Sequence, residues 1–225
     1  MSPASGHAAD HHYGSAEAPH TEDYLWRHII SLCGELRARR IVDIGCGNGA
    51  LCGELASRGY EVVGCEPSAE SLRFAQRAAP GLVFHKLGVD DDPWTIGNAS
   101  FDLAIATEVI EHVVRPRNLP RFAKQLLRSG GHLIISTPYH GYLKNLVLAL
   151  ANKWDAHLNP FWDGGHIKFW SRKTLSQLLN ETGFSVIRFI GAGRLPFLWK
   201  SMILVAQKPQ PSERWITEGL AGQSG

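Results

Sequence analysis

The run Ile41-Val42-Asp43-Ile44-Gly45-Cys46-Gly47-Asn48-Gly49 constrains the fold of this chain more than any other stretch. Ile41–Ile44 is a short apolar segment, the signature of a strand buried on both faces. Glycines at alternate positions then allow a tight turn and let the backbone approach a ligand closely. Ala50–Arg58 follows with helical character and stops at Gly59. A strand, a glycine turn and a helix N-terminus with free N–H groups form a ligand-binding corner. Open α/β sheets present such corners at the carboxyl ends of their strands.

The rest of the chain keeps the same rhythm. Tyr24, Leu25, Ile29, Leu32 and Leu36 recur at helical spacing, so a first amphipathic helix starts near Thr21. Strands are predicted at Glu61–Cys65, Leu82–Leu87, Phe101–Thr107 and His132–Ser136. Helices are predicted at Ser68–Ala79 and Pro116–Leu127, the latter stopped by Gly130-Gly131. Strands separated by helices of this length imply parallel βαβ units with right-handed crossovers. The stretch 138–170 breaks the pattern with Tyr139, Tyr142, Trp154, Phe161, Trp162, Phe169 and Trp170, and an apolar helix near Leu143–Asn152. It reads as an insertion that covers a substrate. Arg172–Thr182 is a helix, and Phe184–Ile190 and Met202–Gln207 are two closing strands. We expect one domain over 21–208, a disordered His-containing tail over 1–20 and a polar tail over 209–225.

Composition narrows the function classes. The 225 residues carry 23 Lys and Arg against 21 Asp and Glu, which gives no electrostatic footprint for DNA and argues against RNA. Four cysteines without a CxxC pair argue against a disulfide scaffold or a cysteine-based zinc site, and fit a reducing cytoplasm. No run of 18 apolar residues is present, and no secretory signal opens the chain. The apolar stretches Leu143–Leu150 and Leu195–Val205 leave peripheral membrane contact as a minor alternative.

Gly45-x-Gly47-x-x-Ala50 also fits the dinucleotide pattern, so the loop alone leaves a nicotinamide enzyme open. Glu66 ends the second strand, where a ribose diol needs a carboxylate acceptor. Asp43 lies two residues before the first glycine, where it would repel a pyrophosphate but can order the loop and face an amino group. Together, Val42–Gly49 and Glu66 resemble the class I S-adenosylmethionine-dependent methyltransferases over residues from about 40 to 207. The resemblance implies a Rossmann-like, seven-stranded, mostly parallel sheet with helices on both faces and an antiparallel last strand. It also implies that Asp43, Gly45 and Gly47, with Cys46 in the same loop, surround the methionine part of the cofactor. By the same resemblance Glu66 holds the ribose, Val89 and Asp90, with Asp91 as the alternative, lie beside the adenine, and Thr107 and Glu108 close the cofactor side.

After the fourth strand comes Glu108-Val-Ile-Glu111-His112. On one helical turn, positions 108, 111 and 112 share a face. Two carboxylates and an imidazole there make half a divalent-metal site. His166, in Asp163-Gly-Gly-His166, is the best closing ligand, and His140 is second. This arrangement resembles the ubiquinone-pathway 3-O-methyltransferases and the small-RNA 2′-O-methyltransferases. The resemblance implies Glu108, Glu111, His112 and His166 around Mg or Zn. The rival reading is metal-free, with His166, His112 or His140 taking a proton. An acid- and His-rich site suits oxygen, so we expect O-methylation of a catechol-, polyketide- or sugar-like small molecule. N-methylation, RNA 2′-O-methylation and a non-catalytic cofactor-binding subunit are the alternatives.

Overall fold

In the computed structural model, residues 21–97, 99–158, 161–162 and 165–210 are described. The tail expected over 1–20, and all but the first two residues of that over 209–225, lie outside the described residues. Seven strands are present: β1 (Arg40–Ile44), β2 (Glu61–Cys65), β3 (Val83–His85), β4 (Phe101–Thr107), β5 (Leu127–Pro138), β6 (Ser185–Ala192) and β7 (Ser201–Gln207). They form one sheet in the order β3-β2-β1-β4-β5-β7-β6, with β7 antiparallel to both neighbours. The remaining neighbours pair in parallel.

The helices are α1 (Arg27–Glu35), α2 (Ala50–Ser57), α3 (Ala69–Ala78), α4 (Asn118–Leu126), α5 (Tyr142–Leu150), α6 (Trp154–Leu158) and α7 (Arg172–Glu181). Each half of the core follows from strand alternation. Ile41, Leu103, Ile105, Ile134 and Ile203 pack with Ile29 and Leu32 of α1 and Leu51 and Leu55 of α2. Val42, Ala104, Leu133, Ile135 and Leu204 pack with Leu119 and Phe122 of α4 and Leu175 and Leu179 of α7. Burial on both faces is why these strands carry unbroken apolar runs. Each such Leu or Ile contributes about 1.5–3 kcal/mol of transfer free energy.

Several boundaries differ from the sequence reading, and at two places the local conformation differs as well. The glycine pair Gly130-Gly131 does not stop a helix; α4 ends at Leu126, and β5 runs for 12 residues through both glycines. Leu127 pairs with Phe101, and the register then shifts before Leu103 pairs with His132. The glycines absorb that irregularity, Gly130 with φ +76°. The first helix begins with a wider turn over Glu22–Trp26 before α1.

The insertion turns the usual helix pattern inside out. Tyr142, Leu143, Leu146, Val147 and Leu150 of α5 are exposed, and its one buried residue is Lys144.

Candidate active site

Under the glycine turn, the amides of Gly45 and Cys46 donate to the carbonyl of Cys65 (2.8 and 3.1 Å), which ties the loop to the end of β2. Gly45 has φ +75°, and a Cβ there would meet Val109 at 2.7 Å. Gly49 has φ +74°, and a Cβ would lie 2.8 Å from that of Ala75. Both positions therefore demand glycine for conformation and for space. Glu66 is buried and accepts from the Gly47 amide through Oε2 (3.1 Å) and from the Ser68 amide through Oε1 (2.9 Å). Asp43 is 2% exposed and accepts from the Cys52 thiol (3.3 Å), and burial lifts its carboxyl to about 7.

All four cysteines are free and buried. Burial pushes the Cys33 thiol up to about 12, which marks an inert packing thiol. On the third side of this corner, Val89 and Asp90 line a shallow cleft with Pro67, Gly88, Asp91, Val113 and Val114. Asp91 folds back onto the Gly88 amide (2.7 Å), whereas Asp90 accepts from Asn118 of α4 (2.6 Å). The Thr107 hydroxyl at the end of β4 is buried without a hydrogen-bond partner among the described residues.

Beyond β4 the two carboxylates part company. Glu108 adopts φ +54°, a left-handed conformation that a non-glycine residue holds only when its surroundings enforce it. Its amide donates to the Ser136 carbonyl (3.2 Å) and hydroxyl (3.1 Å). Its Oε1 accepts from Ser136 Oγ (2.8 Å) and its Oε2 from Ser201 Oγ (3.0 Å). Tyr24 Oη reaches the same Ser201 Oγ at 3.2 Å. Burial raises the Glu108 carboxyl to about 7.

Glu111 sits on a short 3-10 turn, Ile110–His112, and is 1% exposed. Its Oε2 accepts from Thr137 Oγ1 (3.0 Å). Its Oε1 has no hydrogen-bond partner among the described residues and lies 3.9 Å from His166 Nε2. Burial, reinforced by the neighbouring Glu108, drives this carboxyl well above the usual range. The Glu111 carbonyl accepts from the amides of Ile167 and Lys168 (both 3.0 Å), which docks the insertion and delivers His166. The His112 and His166 rings lie 5.0 Å apart, and the Trp162 ring is 5.9 Å from the first and 5.2 Å from the second. One ligand atom from each of Glu111, His112 and His166 falls within 4.8 Å of the others.

The four-residue metal set expected from the sequence is therefore three residues in the structure. Glu108 stands apart, because its left-handed backbone breaks the helical spacing that would align it with Glu111. Two serine hydroxyls also hold its carboxylate elsewhere. His140 stands apart as well. Its ring packs on Phe169 (5.1 Å) and His157 (5.6 Å). Burial, with Lys144 nearby, pushes it down to about 4. It lines a cavity of about 200 Å³ with Asn145, Trp154, Leu158, Phe169, Ser171 and Thr174, and none of the three clustered residues borders that cavity.

Sequence reasoning missed Thr137, Ser136, Ser201 and Tyr24. A Ser-Thr pair ending the apolar strand β5 was the one available signal for the first two. Ser201 and Tyr24 are joined to the site only by the fold.

A family model described as a methyltransferase domain matches residues 19–188. The mitochondrial ubiquinone biosynthesis O-methyltransferase of Rattus norvegicus is 30% identical over 171 residues, covering 72% of this chain and 49% of that protein. The ubiquinone biosynthesis O-methyltransferase of Aromatoleum aromaticum is 25% identical over 166 residues, covering 72% and 70%. The chain thus spans about half the length of the mammalian curated relatives it matches. Among solved structures, an S-adenosylmethionine-dependent methyltransferase from Methanosarcina mazei aligns with TM-score 0.59 at 25% identity, over 76% of this chain and 93% of that one. A methyltransferase from Haloferax volcanii, solved with its Trm112 activator, aligns with TM-score 0.67 at 15% identity, over 85% and 92%, a likeness of fold.

Proposed function

The chain belongs to the methyltransferase domain family, of the S-adenosylmethionine-dependent class I kind, and from that premise we propose that it methylates a hydroxyl of a small molecule. The observation that carries this reading is the buried Glu111 carboxylate, with one oxygen oriented by Thr137 and the other facing His166. Such a group has no use in merely binding a cofactor. It suits the removal of a proton, or the holding of a cation, beside the carboxyl ends of β4 and β5.

Methyl transfer from a sulfonium is an in-line displacement, so the protein must align its acceptor and prepare the oxygen. In our reading the glycine turn and Asp43 hold the methionine end of the cofactor. Glu66, which already faces the glycine turn through the Gly47 amide, accepts from the ribose hydroxyls. Val89 and Asp90 border the adenine. The ubiquinone biosynthesis O-methyltransferases among the relatives favour oxygen as the nucleophile.

A Glu-His-His donor set fits a divalent ion of the zinc kind better than magnesium, which prefers oxygen ligands. A cation held there by Glu111, His112 and His166 would supply Lewis acidity, lowering the pKa of a bound hydroxyl. Glu111 would then be ionised, against the pull of its burial, and Thr137 would keep its second oxygen engaged. A cation-free variant of the mechanism is favoured by the 3.9 Å approach of His166 Nε2 to Glu111. There His166 takes the hydroxyl proton and the carboxylate stabilises the resulting imidazolium.

Calorimetric titration of S-adenosylhomocysteine, with metal analysis of the same sample before and after EDTA, tests these readings. Cofactor binding with a stoichiometric metal, lost in Glu111→Gln, supports the cation. Binding without metal leaves His166 as the base. Absence of binding overturns the methyltransferase reading.

A further inference from the structure

The cavity between α5, α6 and the start of α7 is separate from the Glu111, His112 and His166 cluster, and its lining defines a ligand of its own. No charged side chain among the described residues lines it. Burial, with Lys144 nearby, keeps the His140 imidazole neutral at neutral pH. Trp154 and Leu158, from the two ends of α6, and Phe169 supply apolar walls. Trp154 is 42% and Phe169 50% exposed, so both rings have open faces to offer. The volume, about 200 Å³, exceeds the roughly 150 Å³ that encloses a benzene ring. It therefore takes one substituted ring or two small fused rings.

The polar groups of the lining are not equally satisfied. Ser171 and Thr174 answer each other in the capping box of α7, where the Thr174 amide donates to Ser171 Oγ (3.2 Å) and the Ser171 amide to Thr174 Oγ1 (3.1 Å). Asn145 differs. Its Oδ1 is buried and approaches the His140 ring, yet it has no hydrogen-bond partner among the described residues. A buried acceptor left in this way is costly, and a ligand N–H or O–H removes the cost. The cavity and the reaction centre also lie along one stretch of chain. His166 faces Glu111, and Phe169, three residues on, packs against His140 at the cavity. Three residues span at most about 11 Å between Cα atoms, so one elongated small molecule reaches both places.

We infer that this cavity is a second subsite for the methyl acceptor. It holds an uncharged ring whose N–H or O–H donates to Asn145 Oδ1, while the reacting hydroxyl lies at Glu111 and His166. The acceptor is thus an elongated molecule, with a recognition ring at one end and its nucleophile at the other. The acceptor role rests on the O-methylation reading, whereas the preference for a ring bearing a donor follows from the cavity alone.

Indole and benzofuran share one bicyclic shape, and only indole carries an N–H. Ligand-observed NMR titration of the full chain, with S-adenosylhomocysteine present, should give indole an affinity about five- to tenfold above that of benzofuran, although benzofuran is the more apolar. Asn145→Leu should erase or reverse that preference, and Trp154→Ala should weaken both probes. Both substitutions lie outside the cofactor corner, so S-adenosylhomocysteine affinity and thermal melting should match the parent and show that the variants fold. A catechol tethered to indole by a two-carbon link should bind at least tenfold more tightly than indole, and His166→Ala should remove that gain. The ring site is overturned if neither probe binds, if both bind alike, or if the preference for indole survives Asn145→Leu. The acceptor role is overturned if the tether brings no gain. S-adenosylhomocysteine binding in the same sample separates the two readings: its absence, with the indole preference intact, would overturn the methyltransferase reading and leave the ring site standing.

Discussion

The cofactor corner and the insertion meet across the carboxyl ends of β4 and β5, and they treat their polar groups in opposite ways. Glu66 spends both carboxylate oxygens on amides of its own neighbourhood, and the glycines around it are sterically locked. The insertion brings His166 within 3.9 Å of a Glu111 oxygen that is otherwise unanswered, buries a lysine and turns its leucines outward. The loop of that corner is fastened by bonds of its own. The insertion leaves that carboxylate oxygen to be completed by what it meets.

The sharpest break between the halves should come from His166→Ala. Turnover should fall by about 10²–10⁴-fold, the usual worth of a positioned proton acceptor, while S-adenosylhomocysteine affinity stays within about twofold. Steady-state kinetics beside calorimetry check this, and a parallel loss of both would merge the halves. The reverse experiment is Glu66→Ala. Cofactor affinity should drop about 10–100-fold through loss of charge-assisted hydrogen bonds. Unchanged affinity would remove the ribose role.

Within the insertion side, Thr137→Val should weaken zinc binding by about 10–100-fold, with Thr137→Ser restoring it, because an oriented carboxylate is the better ligand. Glu108→Gln should leave that affinity unchanged within about twofold. Equal losses in Thr137→Val and Glu108→Gln would return Glu108 to the cation set.

The smallest effect should be a shift in melting temperature. Asp43 is lifted by burial to about 7, above its unfolded value, so its favourable contribution is complete below about pH 4 and is lost as pH rises through 7. Asp43→Asn should therefore melt higher than the parent at pH 8, with the gap closing toward pH 5. A gap that widens in acid would contradict the assigned burial.

What the sequence disclosed followed the range of the interactions involved. Strand and helix order, the glycine turn and Glu66 are written in local periodicity and spacing, and the seven-stranded sheet matches that reading. The grouping of Glu111 and His112 was local too, and His166 lies beside them in the structure. The place of Glu108 was not legible. It depends on a left-handed residue and on hydroxyls 28 and 93 positions away. Whether the apolar stretch Leu143–Leu150 faces a core or a surface stayed open in the sequence, because an apolar helix reads the same in both places.

The antiparallel strand β7 has a consequence for the order of assembly. It is the last of the seven strands in sequence, and its first residue, Ser201, lies at the same edge as the ends of β4 and β5. A nascent chain that has emerged only through β6 already holds Glu108 and Ser136. It lacks the second hydroxyl that Glu108 leans on, and the link to Tyr24. The two ends of that hydrogen-bonded chain, Tyr24 and Ser201, are thus joined only once β7 has been made.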